Sequence, residues 1–211
     1  MWLKWVKESG IIMAILKKKI MENKEIKEAN LLDSAFTLFT EKGVKNTSVQ
    51  DIVNKAGVAK GTFYLYFKDK YEIQDYLIIK KSKQLFEKAI ISLKEKNIKD
   101  YRERVIFIID NIIDEFAKNK LLLKFISKNL SWAIYSDKIS HIIDDSSIGL
   151  LDLFLEDIKN SNIKIDNPEV KLFMIIEMTS STVYTSITSN KPLPIEEYKP
   201  ILYEEIKKIL S

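Results

Sequence analysis

Cysteine is absent from this sequence, which excludes a disulfide framework, a zinc-thiolate site and a thiol nucleophile. The absence fits a reducing compartment, and the cytoplasm is the expected location. Histidine occurs once, at His141, so a multi-histidine metal site is excluded. One histidine is enough for a Ser-His-Asp triad, but its neighbours offer no nucleophile geometry that sequence can show, and a structural or exposed histidine is the preferred reading. Asp144 and Asp145 follow closely, but adjacent carboxylates point to different faces of a helix. No catalytic residue, metal or cofactor is expected, and the chain does not read as an enzyme. Glycine numbers five, too few and too scattered for a nucleotide-binding loop. Proline numbers four, none before Pro168, so long stretches lack the punctuation of strands and turns.

Charge of one sign is also scarce once its place is considered. The net charge is +4. Residues 1–21 carry Lys4, Lys7, Lys17, Lys18 and Lys19 against Glu8, so the remainder is neutral overall. Nucleic-acid binding therefore has to be argued from a local cluster. One exists: residues 42–70 hold six lysines against Asp51 and Asp69. Arginine is missing until Arg102, so no bidentate arginine–guanine contact can come from this cluster. Lysines act there as point charges.

The first twenty residues, MWLKWVKESGIIMAILKKKI, make a poor signal peptide, because the apolar run Ile11 to Leu16 is short and no small-residue cleavage site follows. The run is also too short to span a bilayer, and no membrane partner is expected. Three readings stand: a disordered basic tail, an amphipathic first helix, or residues upstream of a true start at Met21.

What the chain does have is helical spacing. Ile26, Leu32, Ala35, Phe36 and Phe39 recur at helical intervals, and Gly43 closes the segment as a cap. Thr47 and Gln50 predict a capping box for a short helix with Ile52, Val53 and Ala56 inward, ending at Gly57. Asp69 with Glu72, and Asp100 with Glu103, predict starts for helices over about 69–95 and 100–119. The second contains VIFIIDNIIDEF, apolar on most sides, and reads as the central buried helix. Further helices fit 120–135, about 137–161, 168–189 and 199–210, with Pro168 and Pro200 at helix starts. No segment alternates with period two, and the fold class is all-α.

The stretch TSVQDIVNKAGVAKGTFYLYFKDK holds two of the five glycines and four aromatics between Phe63 and Phe67. Two short helices joined at Ala56-Gly57-Val58 make a helix-turn-helix. Phe63 and Phe67, four apart, face the core, which leaves Tyr64 and Tyr66 outward. With the preceding helix IKEANLLDSAFTLFTEKGVKNTS, this stretch resembles the DNA-binding signature of the TetR family of transcriptional regulators, over about residues 24–75. The resemblance implies that Lys60, Gly61 and Thr62 enter the major groove, and that Thr47, Tyr64, Tyr66 and Lys70 hold phosphates. Ser48 completes the expected DNA-binding set. Ala59 departs from the Ser or Thr usual at that helix start, and its missing cap weakens the start by ~1 kcal/mol. Marked salt sensitivity of binding follows from the lysines.

The resemblance further implies a division into a basic tail or extra helix over 1–21, a helix-turn-helix domain over 22–70, and an effector-binding and dimerisation domain over 71–211. It implies a homodimer reading a palindromic operator in double-stranded DNA, with helices 168–189 and 199–210 forming the interface. Ile201, Ile206, Ile209 and Leu210 are expected to pair across the two-fold axis. Trp132, Tyr135, Phe154, Met174, Met178 and Tyr184 are the expected lining of a pocket for a small hydrophobic effector, with plain core packing as the alternative for each. The helix 178–189, rich in small hydroxyl residues, suits close helix approach. The expected function is a repressor released by that effector. The rival is a ligand-free DNA-binding scaffold of the same fold.

Overall fold

The computed structural model describes the backbone of residues 2–135, 150–160 and 164–211. His141, Asp144 and Asp145 lie outside the described residues, as does the first half of the helix expected over 137–161. All regular structure among the described residues is helical. The chain divides into two compact units, Met1–Asp75 and Tyr76–Ser211.

The first unit contains α1 (Trp2–Lys42), α2 (Val49–Ala56), α3 (Lys60–Tyr64) and the start of α4 (Lys70–Lys94). The backbone is helical from Trp2 and continuous with the helix that apolar spacing predicts. No proline interrupts it, and one interior glycine costs only about 1 kcal/mol. It stops at Gly43, whose φ of 81° is the left-handed conformation that glycine adopts freely. Leu31, Leu32, Ala35 and Phe39 form its buried stripe. Ile26, expected inward, is 57% exposed; the stripe begins five residues later. α1 packs on α2, and α2 on α3. Ile52, Val53, Phe63, Phe67 and Ile73 complete the core.

The second unit continues α4 and adds α5 (Tyr101–Lys118), α6 (Lys120–Ile126), a 3-10 turn (Ser127–Asn129), α7 (Leu130–Tyr135), α8 (Leu150–Asn160), α9 (Pro168–Ser189) and α10 (Ile195–Ile209). The segment 120–135, expected as one helix, is two helices around the turn; no residue in it forces the break. The hub is α9, which packs against α5, α6, the turn, α7, α8 and α10. The sequence placed α5 at the centre instead. α5 buries one broad face, from Tyr101 to Phe116, but leaves Asp110, Asn111 and Asp114 partly in solvent. α9 can take the hub position because most of its hydroxyls bond inside the unit. Thr182, Thr185 and Thr188 donate to the carbonyls of Met178, Ser181 and Tyr184, and Ser186 donates to that of Leu193. Such a helix is small in girth yet nearly satisfied when buried.

α10 begins a turn earlier than expected. The carbonyl of Pro194 accepts from the amides of Glu197 and Tyr198, so Pro200 lies inside the helix and not at its start. Leu202, Ile206 and Leu210, spaced four apart, are at most 1% exposed within this one chain. The expected pairing of Ile206 and Leu210 across a two-fold axis is thereby corrected: both are spent on their own core. Polar contacts join α10 to α5. The Tyr101 hydroxyl donates to the Leu210 carbonyl. Lys199 Nζ lies 2.8 Å from an Asp110 oxygen and also pairs with Asp114, while the Tyr203 hydroxyl donates to Asp110. Burial pushes the Asp110 carboxyl up, but hydrogen bonds from Lys199 and Tyr203 outweigh it and hold the group below its ordinary value. Burial, and then the bond to Asp110, push the Tyr203 hydroxyl well up. No helix among the described residues is long and apolar enough to cross a membrane.

Candidate functional site

Two places carry chemistry, one in each unit. In the first, Ser48 and not Thr47 caps α2. Its side chain accepts from the Asp51 amide at 3.1 Å, and Asp51 accepts from the Ser48 amide at 2.8 Å. This reciprocal pair is a capping box one residue on from the one expected. The Ser48 amide, and then Lys42 at 2.9 Å, hold the Asp51 carboxyl down to about 2. Thr47 is 1% exposed, and its hydroxyl donates to the Gly43 carbonyl at 2.9 Å. Its expected phosphate contact is therefore replaced by a role inside the turn between α1 and α2.

The short α3 starts at Ala59, which makes no side-chain cap. Gly57, with φ of 67°, turns the chain into it. Phe63 is fully buried, so Lys60, Gly61 and Tyr64 are left exposed, and Thr62 is half-buried. Lys60 has no ion-pair or hydrogen-bond partner among the described residues. Tyr64 is 53% exposed and stands edge-on to Phe63 at 5.4 Å. Tyr66 differs from expectation: its hydroxyl donates to the Lys24 carbonyl at 3.0 Å, tying it to α1. That proton is not free for a phosphate.

Lys70 is the largest departure. Its ammonium donates to the carbonyls of Val44, Lys45 and Thr47 at 2.8, 3.1 and 2.9 Å. An ammonium has three donors, and all three are spent on the turn between α1 and α2. The expected phosphate contact gives way to a structural one. Hydrogen bonds to a charged group are worth about 1.5–3 kcal/mol. Lys70→Met, which keeps the stem, is expected to lower stability by about 2 kcal/mol in urea unfolding. Unchanged stability, together with weaker DNA binding and a salt slope flattened by about one unit, would return Lys70 to the phosphate role.

The second place is a cavity of about 180 Å³ in the second unit. Phe86, Ile112, Phe154, Leu172 and Ile175 are among its lining residues, and Thr179 is the one lining residue among the described residues with a polar side chain. Of the six pocket residues expected from the sequence, Phe154 alone lines it. Met174 is 52% exposed. Tyr135 donates to the Glu169 carbonyl at 3.0 Å, and the Tyr184 ring lies 5.8 Å from the Lys128 ammonium. Trp132 and Met178 are half-buried outside the lining. The residues missed are mostly aliphatic ones on α4, α5 and α9, with Phe86, Leu130 and Thr179, and nothing in composition distinguishes them from ordinary core.

Comparison with known proteins agrees with the helix-turn-helix. Residues 31–77 match the model of the bacterial regulatory proteins of the tetR family. The chain is 23% identical to the HTH-type transcriptional regulator YerO of Bacillus subtilis, covering 87% of this chain and 76% of that protein. It is 38% identical to the fatty acid metabolism regulator protein of the same organism, over 36% of this chain and 39% of that protein. The solved structure of the transcriptional regulator FadR from Bacillus subtilis in complex with stearoyl-CoA superposes with a TM-score of 0.60 at 23% identity, covering 87% of this chain and 98% of that one. Behind a capped helix-turn-helix that matches the tetR family of bacterial regulatory proteins over residues 31–77, the described residues are all-helical, and the chain is similar to DNA-binding transcriptional regulators of that family.

Proposed function

We propose that the protein is a cytoplasmic, homodimeric repressor that reads a palindromic operator with α3 and leaves it when a small hydrophobic ligand enters the cavity of the second unit. The cavity carries the release half of this reading. A ligand-free scaffold would gain stability by filling such a space, since an empty apolar volume forfeits packing. The stearoyl-CoA bound by the FadR structure supports a lipid-like ligand. For release, the ligand must favour the state that does not bind DNA, and couplings of this kind are worth about 1–3 kcal/mol. Val170, Phe173, Met174 and Ile201, all about half exposed on α9 and α10, supply apolar surface for an isologous interface. A dimer would set two copies of α3 on the half-sites of a palindrome.

Selection from random duplexes supplies the operator, and anisotropy then compares variants. Lys60→Ala is expected to weaken operator binding by about 1–3 kcal/mol and to relax preference at the base it touches. Stability should not change, because Lys60 has no partner among the described residues to lose. A variant that binds every duplex as the parent does would remove α3 as the reading head.

A further inference from the structure

Resting on the reading of the cavity as the effector site, we infer that Thr179 is its single polar anchor, and that the ligand is an uncharged apolar molecule carrying one hydroxyl-type group. Four threonines lie on α9. Three of them turn their hydroxyls back to the carbonyl four residues earlier. Thr179 does not: its Oγ1 is shielded from solvent and has no hydrogen-bond partner. Among the described residues it is also the one polar side chain in a lining otherwise made of hydrocarbon.

A buried hydroxyl without a partner is costly, and the usual remedy fails here. A buried water needs two to four polar partners, and the described side chains of this cavity have one to give. A molecule that is apolar over most of its surface and polar at one atom satisfies both the hydroxyl and the walls. The hydroxyl can donate and accept, so it can pair with an alcohol, phenol or carbonyl. No lining residue among the described residues carries a charge, so a carboxylate or phosphate beside them would be desolvated without a counter-ion. The size suits a single ring or a short chain: an engineered apolar cavity of about 150 Å³ holds benzene.

Phenol and toluene, nearly equal in shape, separate the anchor from the walls. Their dissociation constants are measured by calorimetry on the full chain, its Thr179→Val variant and its Thr179→Ser variant. Thr179→Val should weaken phenol about fivefold more than it weakens toluene, as one net hydrogen bond requires, while Thr179→Ser keeps the preference for phenol. The valine variant without ligand should also melt higher, by about 3 °C, because an unpaired hydroxyl is gone. Equal changes for the two probes, or full phenol binding by the valine variant, would overturn the anchor and leave the cavity reading intact. Failure of the parent protein to bind either probe would overturn the cavity reading, and the anchor with it.

Discussion

Replacing Ile206 with aspartate is expected to unfold the second unit, not to split a dimer. Ile206 has no exposed surface, and neither has Leu210 one turn on. Truncating such a side chain to alanine costs about 2–5 kcal/mol. The carboxylate adds a desolvation penalty that no nearby cation offsets by design, since Lys199 is already shared between Asp110 and Asp114. Together these approach the whole stability of a domain, about 5–15 kcal/mol. Circular dichroism should show a lost or strongly lowered thermal transition. Phe173→Glu is the contrast. Phe173 is 46% exposed and flanked by the exposed Val170 and Met174, so the fold should survive while sedimentation shows a weaker dimer. A folded, monomeric Ile206→Asp protein would restore the interface to α10's inner face and contradict the burial described above.

How far the fold and the site could be read beforehand differs by kind of signal. Local signals were legible. Gly43 and Gly57 take the left-handed conformation that ends a helix, and Phe63 and Phe67, a helical turn apart, both turn inward. The capping box was displaced by one residue because Thr47 and Ser48 are both good caps. Burial separates them, and burial depends on the turn after Gly43. Non-local signals were not legible. Lys70 reaches carbonyls 23 to 26 residues back, and no spacing rule announces that. The cavity failed for a related reason. Rare residues such as Trp132 and Met174 draw attention in a sequence, whereas isoleucine and leucine line this space because of how α4, α5 and α9 are rotated. That phase is a property of packing, not of composition.

Gly61→Ala is expected to move stability and DNA binding in opposite directions. Glycine inside a helix costs roughly 0.5–1 kcal/mol relative to alanine, so α3 bears that cost at a helix only five residues long. Nothing among the described residues accounts for it. Gly61 does not share the positive φ of Gly43 and Gly57, and a Cβ built on it meets no atom of the described residues within 4 Å. The space is open to solvent, on the stretch of α3 that also exposes Lys60 and Tyr64. A glycine that neither the backbone nor its neighbours require fits a surface that must lie close to something outside the chain, here the walls of a DNA groove. Adding the methyl should therefore raise the unfolding free energy by about 0.5–1 kcal/mol. Operator affinity should fall by about 1–3 kcal/mol, the usual cost of overpacking a close contact, which is about fivefold to 150-fold. Urea unfolding and anisotropy on one preparation give both numbers. A stabilised variant with undiminished operator affinity would mean that α3 keeps its distance from the groove, and would break the DNA-facing assignment of residues 60–62.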